Sequence, residues 1–113
     1  MSARAVLSAA AIALSLAFAQ GAAAGGKAEA GKAKAAQVCA ACHGADGAKP
    51  SAPDQPILAG QYYDYLVKAM ADYKSGKRNN PIMKGFAAGL SAQDMEDLAA
   101  WFSSQKSALH FQR

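Results

Sequence analysis

Cys39-Ala40-Ala41-Cys42-His43 is the stretch that decides how the remainder of this 113-residue sequence is read. Two thiols three residues apart at the end of a helix reach both vinyl groups of one porphyrin, and the adjoining imidazole projects to the iron from the same side. C-x-x-C-H is therefore a haem-attachment pattern. Cys39 and Cys42 are the expected covalent attachment points and His43 the expected iron ligand, with one haem c per chain. Three other readings compete. A structural disulfide between the two cysteines leaves His43 without a role. A thioredoxin-like redox pair belongs after a strand in an α/β chain, and no segment here alternates with period two. Zinc would need Cys39, Cys42 and His110 plus a fourth ligand, and the paired histidine spacing of zinc fingers is missing.

Composition argues for a cofactor independently of the motif. The sequence is 52% hydrophobic, but 30 of those 59 residues are alanine. From Gly25 onward Leu, Ile, Val and Phe make up only 12 of 89 residues, below the roughly 20% under which a chain struggles to build a core. A domain of this size is already marginal by surface-to-volume scaling. Proline and glycine nevertheless sit in discrete places and the helical patterning is clear, so a large apolar group is expected to fill the middle. From Gly25 onward eleven Lys and Arg face eight Asp and Glu. The basic residues are scattered and lack the clustering of a nucleic-acid footprint.

The first two dozen residues read as an export signal. Met1 to Arg4 carry positive charge, Ala5 to Ala19 form an apolar run, and small residues follow from Gly21 to Gly26. That order is the secretory pattern, and the run is shorter than the roughly 20 residues a bilayer span needs. Residues 1–24 are expected to be removed, by cleavage after about Ala24 or Ala19, leaving 25–113 as one domain. No later stretch is apolar enough to cross a membrane. The expected location is the periplasm, where covalent haem attachment takes place.

The expected class is all-α, with three or four helices and long loops. Gly26 to Ala41 is rich in good helix formers, and Gly44 to Pro56 reads as a loop. Gln61 to about Ser75 carries an apolar face at helical spacing and ends at Gly76. Asn79 to Gly89, with Pro81, Gly85 and Gly89, reads as irregular. Ser91 followed by Asp94 marks the start of a last helix running to about Ser107. An iron held by His43 has a sixth position to fill. Met70 and Met95 lie on apolar helix faces, where Met commonly fills gaps, and His110 lies near the chain end. Met83 sits in the stretch read as irregular, where loop geometry can aim a side chain, and is the expected second axial ligand.

These residues resemble the small bacterial class I cytochromes c, and in particular one half of the dihaem members. The likeness rests on Gly31-Lys32-Ala33-Lys34, on Cys39 to Gly44 and on Pro56-Ile57-Leu58-Ala59-Gly60-Gln61. It continues through Asn79-Asn80-Pro81-Ile82-Met83 and Ala87-Ala88-Gly89-Leu90-Ser91. The resemblance implies the class I cytochrome c fold, with Met83 on the iron and the Pro56 carbonyl accepting a hydrogen bond from His43 Nδ1. It implies a crossing of the first and last helices through Gly31 and Trp101, and it makes Tyr62, Tyr63, Arg78 and Asn80 candidates for haem propionate contacts. Ala35 stands where the family often has an aromatic, which suggests a lighter helix contact.

The function implied is one-electron transfer by His/Met-ligated haem, since two protein ligands leave no open iron position for substrate. The expectation is a monomeric periplasmic carrier with redox proteins as partners, neither an enzyme nor a binder of nucleic acid. A permanently bound haem subunit of an oxidoreductase complex is the alternative. An open-iron enzyme or gas sensor would require Met83 to stay off the iron.

Overall fold

The computed structural model describes residues 25–107. The signal-peptide reading and His110 lie outside the described residues. Five helices follow in order: α1 Ala28–Val38, α2 Ala40–His43, α3 Tyr63–Ser75, α4 Pro81–Ala88 and α5 Ala92–Ser103. Among the described residues there is no strand.

The first helix is interrupted near its expected end. Cys39, at φ −117° and ψ −33°, separates α1 from α2. Hydrogen bonds from Cys39 N–H to the Ala35 carbonyl and from His43 N–H to the Cys39 carbonyl keep the two nearly continuous. Helix α3 ends as expected, with Gly76 at φ 85° and ψ 2°, a left-handed cap that favours glycine.

The stretch read as irregular is corrected by the structure: Pro81–Ala88 is helical. Proline breaks a helix interior but is tolerated at its first position, where the missing N–H had no partner to lose. Asn80 caps the helix, accepting at Oδ1 from the backbone N–H groups of Ile82 and Met83, each at 3.1 Å. Gly85 faces open space within α4, so its cost is one of propensity and packing is unaffected.

Helix α5 opens on a reciprocal cap. Asp94 N–H donates to Ser91 Oγ at 3.0 Å, and Ser91 N–H donates to Asp94 Oδ2 at 2.9 Å. Accepting from the Ser91 backbone is the chief reason the Asp94 carboxyl is held below its ordinary range. The helix stops at Ser103, short of Ser107. The Phe102 carbonyl is taken by Gly60 N–H at 2.9 Å and the Trp101 carbonyl by the Gln105 side chain, so the chain turns away.

Helices α1 and α5 cross at Gly31, which the resemblance implied. A Cβ built there would lie 1.9 Å from the Asp97 carbonyl oxygen and 2.9 Å from Trp101 Cβ. Buried Asp97 secures the crossing, with Oδ1 accepting from Lys27 N–H at the start of α1 and from Gln93 Nε2, both at 2.8 Å. The core is small: Ala35, Leu66, Leu90, Met95, Leu98, Ala99 and Phe102.

Candidate haem-binding site

Beside this core lies a cavity of about 520 Å³, walled by α2, the 44–62 loop, α3 and α4. It falls in the size range of cofactor pockets, about 300–1,000 Å³. Cys39, Cys42, His43, Pro56 and Met83 all line it, as do Leu58, Leu66, Leu90 and Phe102. The apolar wall and the pentad thus meet in one place, and the space that the scarcity of large apolar residues leaves open lies against the two thiols.

The loop carrying Pro56 is pinned from several sides. Ser51 N–H donates to the Cys42 carbonyl, Leu58 N–H to the Gly47 carbonyl, and Trp101 Nε1 to the Ala45 carbonyl at 3.0 Å. These bonds hold the Pro56 carbonyl 2.9 Å from His43 Nδ1. An imidazole that donates through Nδ1 keeps Nε2 as a lone pair, which is the tautomer an iron ligand requires. His43 is 6% exposed, so the ring is aimed and not merely near.

Cys39 and Cys42 are not joined by a disulfide. Burial, with a smaller contribution from Cys42, pushes the Cys39 thiol up to about 11. The site fits a covalent haem because both cysteines, the oriented His43 and Met83 line one apolar cavity.

The cavity sets Met95 apart from Met70 and Met83. Met95 is 5% exposed within the core and does not line the cavity. Met70 and Met83 both line it, but Met70 also packs against the core cluster. Met83 occupies the first turn of α4, on a helix, where an irregular loop was expected.

The propionate candidates are scattered. Arg78 lines the cavity, donating to Tyr65 Oη at 3.3 Å and lying 4.8 Å from the centre of the Tyr73 ring. Asn80 lines it too, with its carbonyl oxygen engaged in capping α4. Tyr62 and Tyr63 are not among the lining residues, and the Tyr63 hydroxyl accepts from Gly26 N–H at 3.1 Å. Tyr65 and Tyr73, expected on the apolar face of α3 but not as propionate contacts, line the cavity. The signal was present: Tyr65, Ala69 and Tyr73 recur every four residues, on the side of α3 that also carries Met70.

An all-helical domain with a thiol pair, an oriented histidine and a methionine around one apolar cavity defines a c-type cytochrome. The sequence matches the cytochrome c family over residues 28–106, and the chain belongs to it. Membership brings covalently bound haem c as the cofactor. The cytochrome c4 of Pseudomonas aeruginosa is 58% identical over 83 residues, covering 74% of this chain and 40% of that protein. A thiosulfate dehydrogenase electron acceptor from Stutzerimonas stutzeri is 47% identical over 66 residues, covering 58% of this chain and 31% of that protein. The crystal structure of reduced recombinant cytochrome c4 from Pseudomonas stutzeri superposes with a TM-score of 0.67 at 46% identity, covering 74% of this chain and 48% of that one. The chain thus spans about half the length of the cytochromes c4 it matches or less, in keeping with its resemblance to one half of a dihaem protein. No described helix is long and apolar enough to cross a membrane.

Proposed function

We propose that this protein is a monomeric, periplasmic one-electron carrier, exported by a signal peptide cleaved after about Ala24 or Ala19, and not an enzyme. The observation that carries the reading is the convergence of Cys39, Cys42, His43 and Met83 on a single apolar cavity. Cys39 and Cys42 would hold the haem through thioether bonds, and His43 and Met83 would ligate its iron. The haem supplies an iron that gains or loses one electron. The Pro56 carbonyl keeps the proton on His43 Nδ1. The apolar wall of Leu58, Leu66, Leu90 and Phe102 excludes water, which favours the less charged ferrous state. Arg78, Tyr65 and Tyr73 are the groups for the propionate edge, Arg78 with its fixed positive charge. The name of the Stutzerimonas stutzeri relative, an electron acceptor of a dehydrogenase, supports transfer to and from protein partners. It also leaves room for the second reading, a permanently bound haem subunit. Sedimentation of the protein in native extract separates the two, since a carrier runs alone.

Met83→Ala tests the sixth ligand. The far-red charge-transfer band of ferric His/Met haem should vanish, and the potential should fall on the order of 0.1 V, within the roughly 0.8 V range that axial ligand identity spans. Met70→Leu should keep the band. The reverse pattern would move the ligand to α3.

Lys49, Lys77, Arg78 and Lys84 are all exposed, and Arg78 lines the cavity, so these charges are the groups expected to steer acidic partners electrostatically. Lys74 contributes less, because its ammonium donates to the Leu90 carbonyl. The bimolecular rate with a native redox partner should fall as salt shortens the Debye length to about 10 Å at 0.1 M. Lys84→Glu should reduce that dependence. A rate indifferent to salt would mean that docking is apolar.

A further inference from the structure

The first turn of α4 draws its capping from a single residue. An α-helix leaves its first backbone N–H groups without intrahelical partners, and here Pro81 has none to satisfy. The Ile82 and Met83 N–H groups both donate to Asn80 Oδ1 at 3.1 Å, and Lys84 N–H donates to the Asn80 carbonyl at 2.8 Å. Asn80 thus engages every N–H of residues 82–84, including that of Met83 itself. At the other end of α4, the Lys74 ammonium donates to the Leu90 carbonyl, tying the exit of the helix to α3. Eight residues make a helix too short to persist on its own propensity, and its apolar Ile82, Met83 and Phe86 line the cavity, so α4 faces the haem site as well as packing against α3. The Asn80 cap adds to that packing at the first turn, the part of α4 that carries Met83.

We infer that Asn80 is a positioning residue for the sixth iron ligand: its side chain holds the helical turn that carries Met83, and its loss lets that turn fray and Met83 leave the iron. This rests on the reading of Met83 as the ligand. It differs from a propionate contact, the role in which the family resemblance put Asn80. A contact of that kind would use the amide N–H groups, whereas the cap uses the oxygen. Substitutions separate the two. Serine and aspartate are good caps that carry no amide. Glutamine keeps the amide on a longer stem that caps poorly.

The test is an imidazole titration of the ferric holoprotein, followed at the far-red band. Imidazole takes the sixth position only when Met83 is off, so its apparent affinity scales with the population of that state. Asn80→Ala and Asn80→Gln should bind imidazole about fivefold more tightly, equivalent to about 1 kcal/mol at 1.36 kcal/mol per tenfold. Asn80→Ser and Asn80→Asp should stay within about twofold of the parent. If the alanine variant does not assemble with haem, the glutamine and serine variants carry the same comparison. Parent-like affinity in the alanine and glutamine variants overturns the inference, as does serine or aspartate behaving like alanine. A far-red band that survives Met83→Ala overturns the ligand assignment and this inference with it. A band lost in Met83→Ala together with unchanged affinity in Asn80→Ala overturns the inference alone.

Discussion

A Cys39→Ala/Cys42→Ala variant from which haem has been extracted is expected to show little helix by far-ultraviolet circular dichroism and no cooperative unfolding transition. The parent should keep its haem on the polypeptide through acid–organic extraction. The physical reason is the balance between core and cavity. Leu98 is the one large side chain that is fully buried among the described residues. A cavity of about 520 Å³ lies directly against the core. Left empty and dry, such a space costs up to about 12 kcal/mol at roughly 24 cal/mol per Å³. Water entering through its open side lowers that figure. Even half of it rivals the whole stability of a small domain, about 5–15 kcal/mol. Leu66, Leu90 and Phe102 belong to both the core and the cavity wall, so emptying the cavity removes part of the packing of the core itself. A haem-free chain with native helix content and a sharp transition would show that the helices close on each other without the porphyrin.

The parts of this fold that were legible in the sequence are those governed by local chemistry. Ser91 and Asp94 cap each other within one turn, Gly76 ends α3 in a conformation other residues avoid, and the pentad carries its own spacing. Helix α4 is hidden in the sequence because Pro81, Gly85 and Gly89 resemble breakers unless their positions within a helix are considered. Asn80-Pro81 is itself a start signal, a capping side chain followed by a residue with no N–H to satisfy, and Gly89 comes after the last helical residue. Tyr63 and Tyr65 differ in a way that local pattern does not reveal: Tyr65 lines the cavity and Tyr63 does not. Both belong to α3, but the helix has two partly apolar sides, one toward Gly26 and α5 and the other toward the cavity. Periodicity identifies an apolar side; which neighbour it meets is a tertiary fact. The bond from Trp101 Nε1 to the Ala45 carbonyl spans 56 residues and lies beyond any local pattern.

Gly31→Ala is expected to lower the melting temperature of the ferric holoprotein by about 8–16 °C, for a net loss of about 2 kcal/mol at roughly 4–8 °C per kcal/mol in a domain of this size. Two effects oppose each other at this position. Alanine gains about 1 kcal/mol of helix propensity over glycine. Against that, its Cβ would fall 1.9 Å from the Asp97 carbonyl oxygen, 2.5 Å from the Asp97 carbonyl carbon and 2.9 Å from Trp101 Cβ. The nearest two of these are backbone atoms of α5, so no rotamer change relieves them and the helices themselves have to separate. Overpacking a rigid contact costs about 1–3 kcal/mol and occasionally more, and this clash belongs at the upper end. Separation would strain the Lys27 to Asp97 bond that caps α1. It would also shift Trp101, whose bond to the Ala45 carbonyl helps pin the loop bearing Pro56. The damage therefore extends from the helix crossing to the partner of His43. Gly85→Ala supplies the contrast: nothing lies within 4 Å of its added Cβ, so propensity acts alone and the melting temperature should rise by a few degrees, about 4–8 °C for the full 1 kcal/mol. If Gly31→Ala also raised it, α1 and α5 would have slack at their crossing, and the glycine there would be serving the helix ends and not the contact.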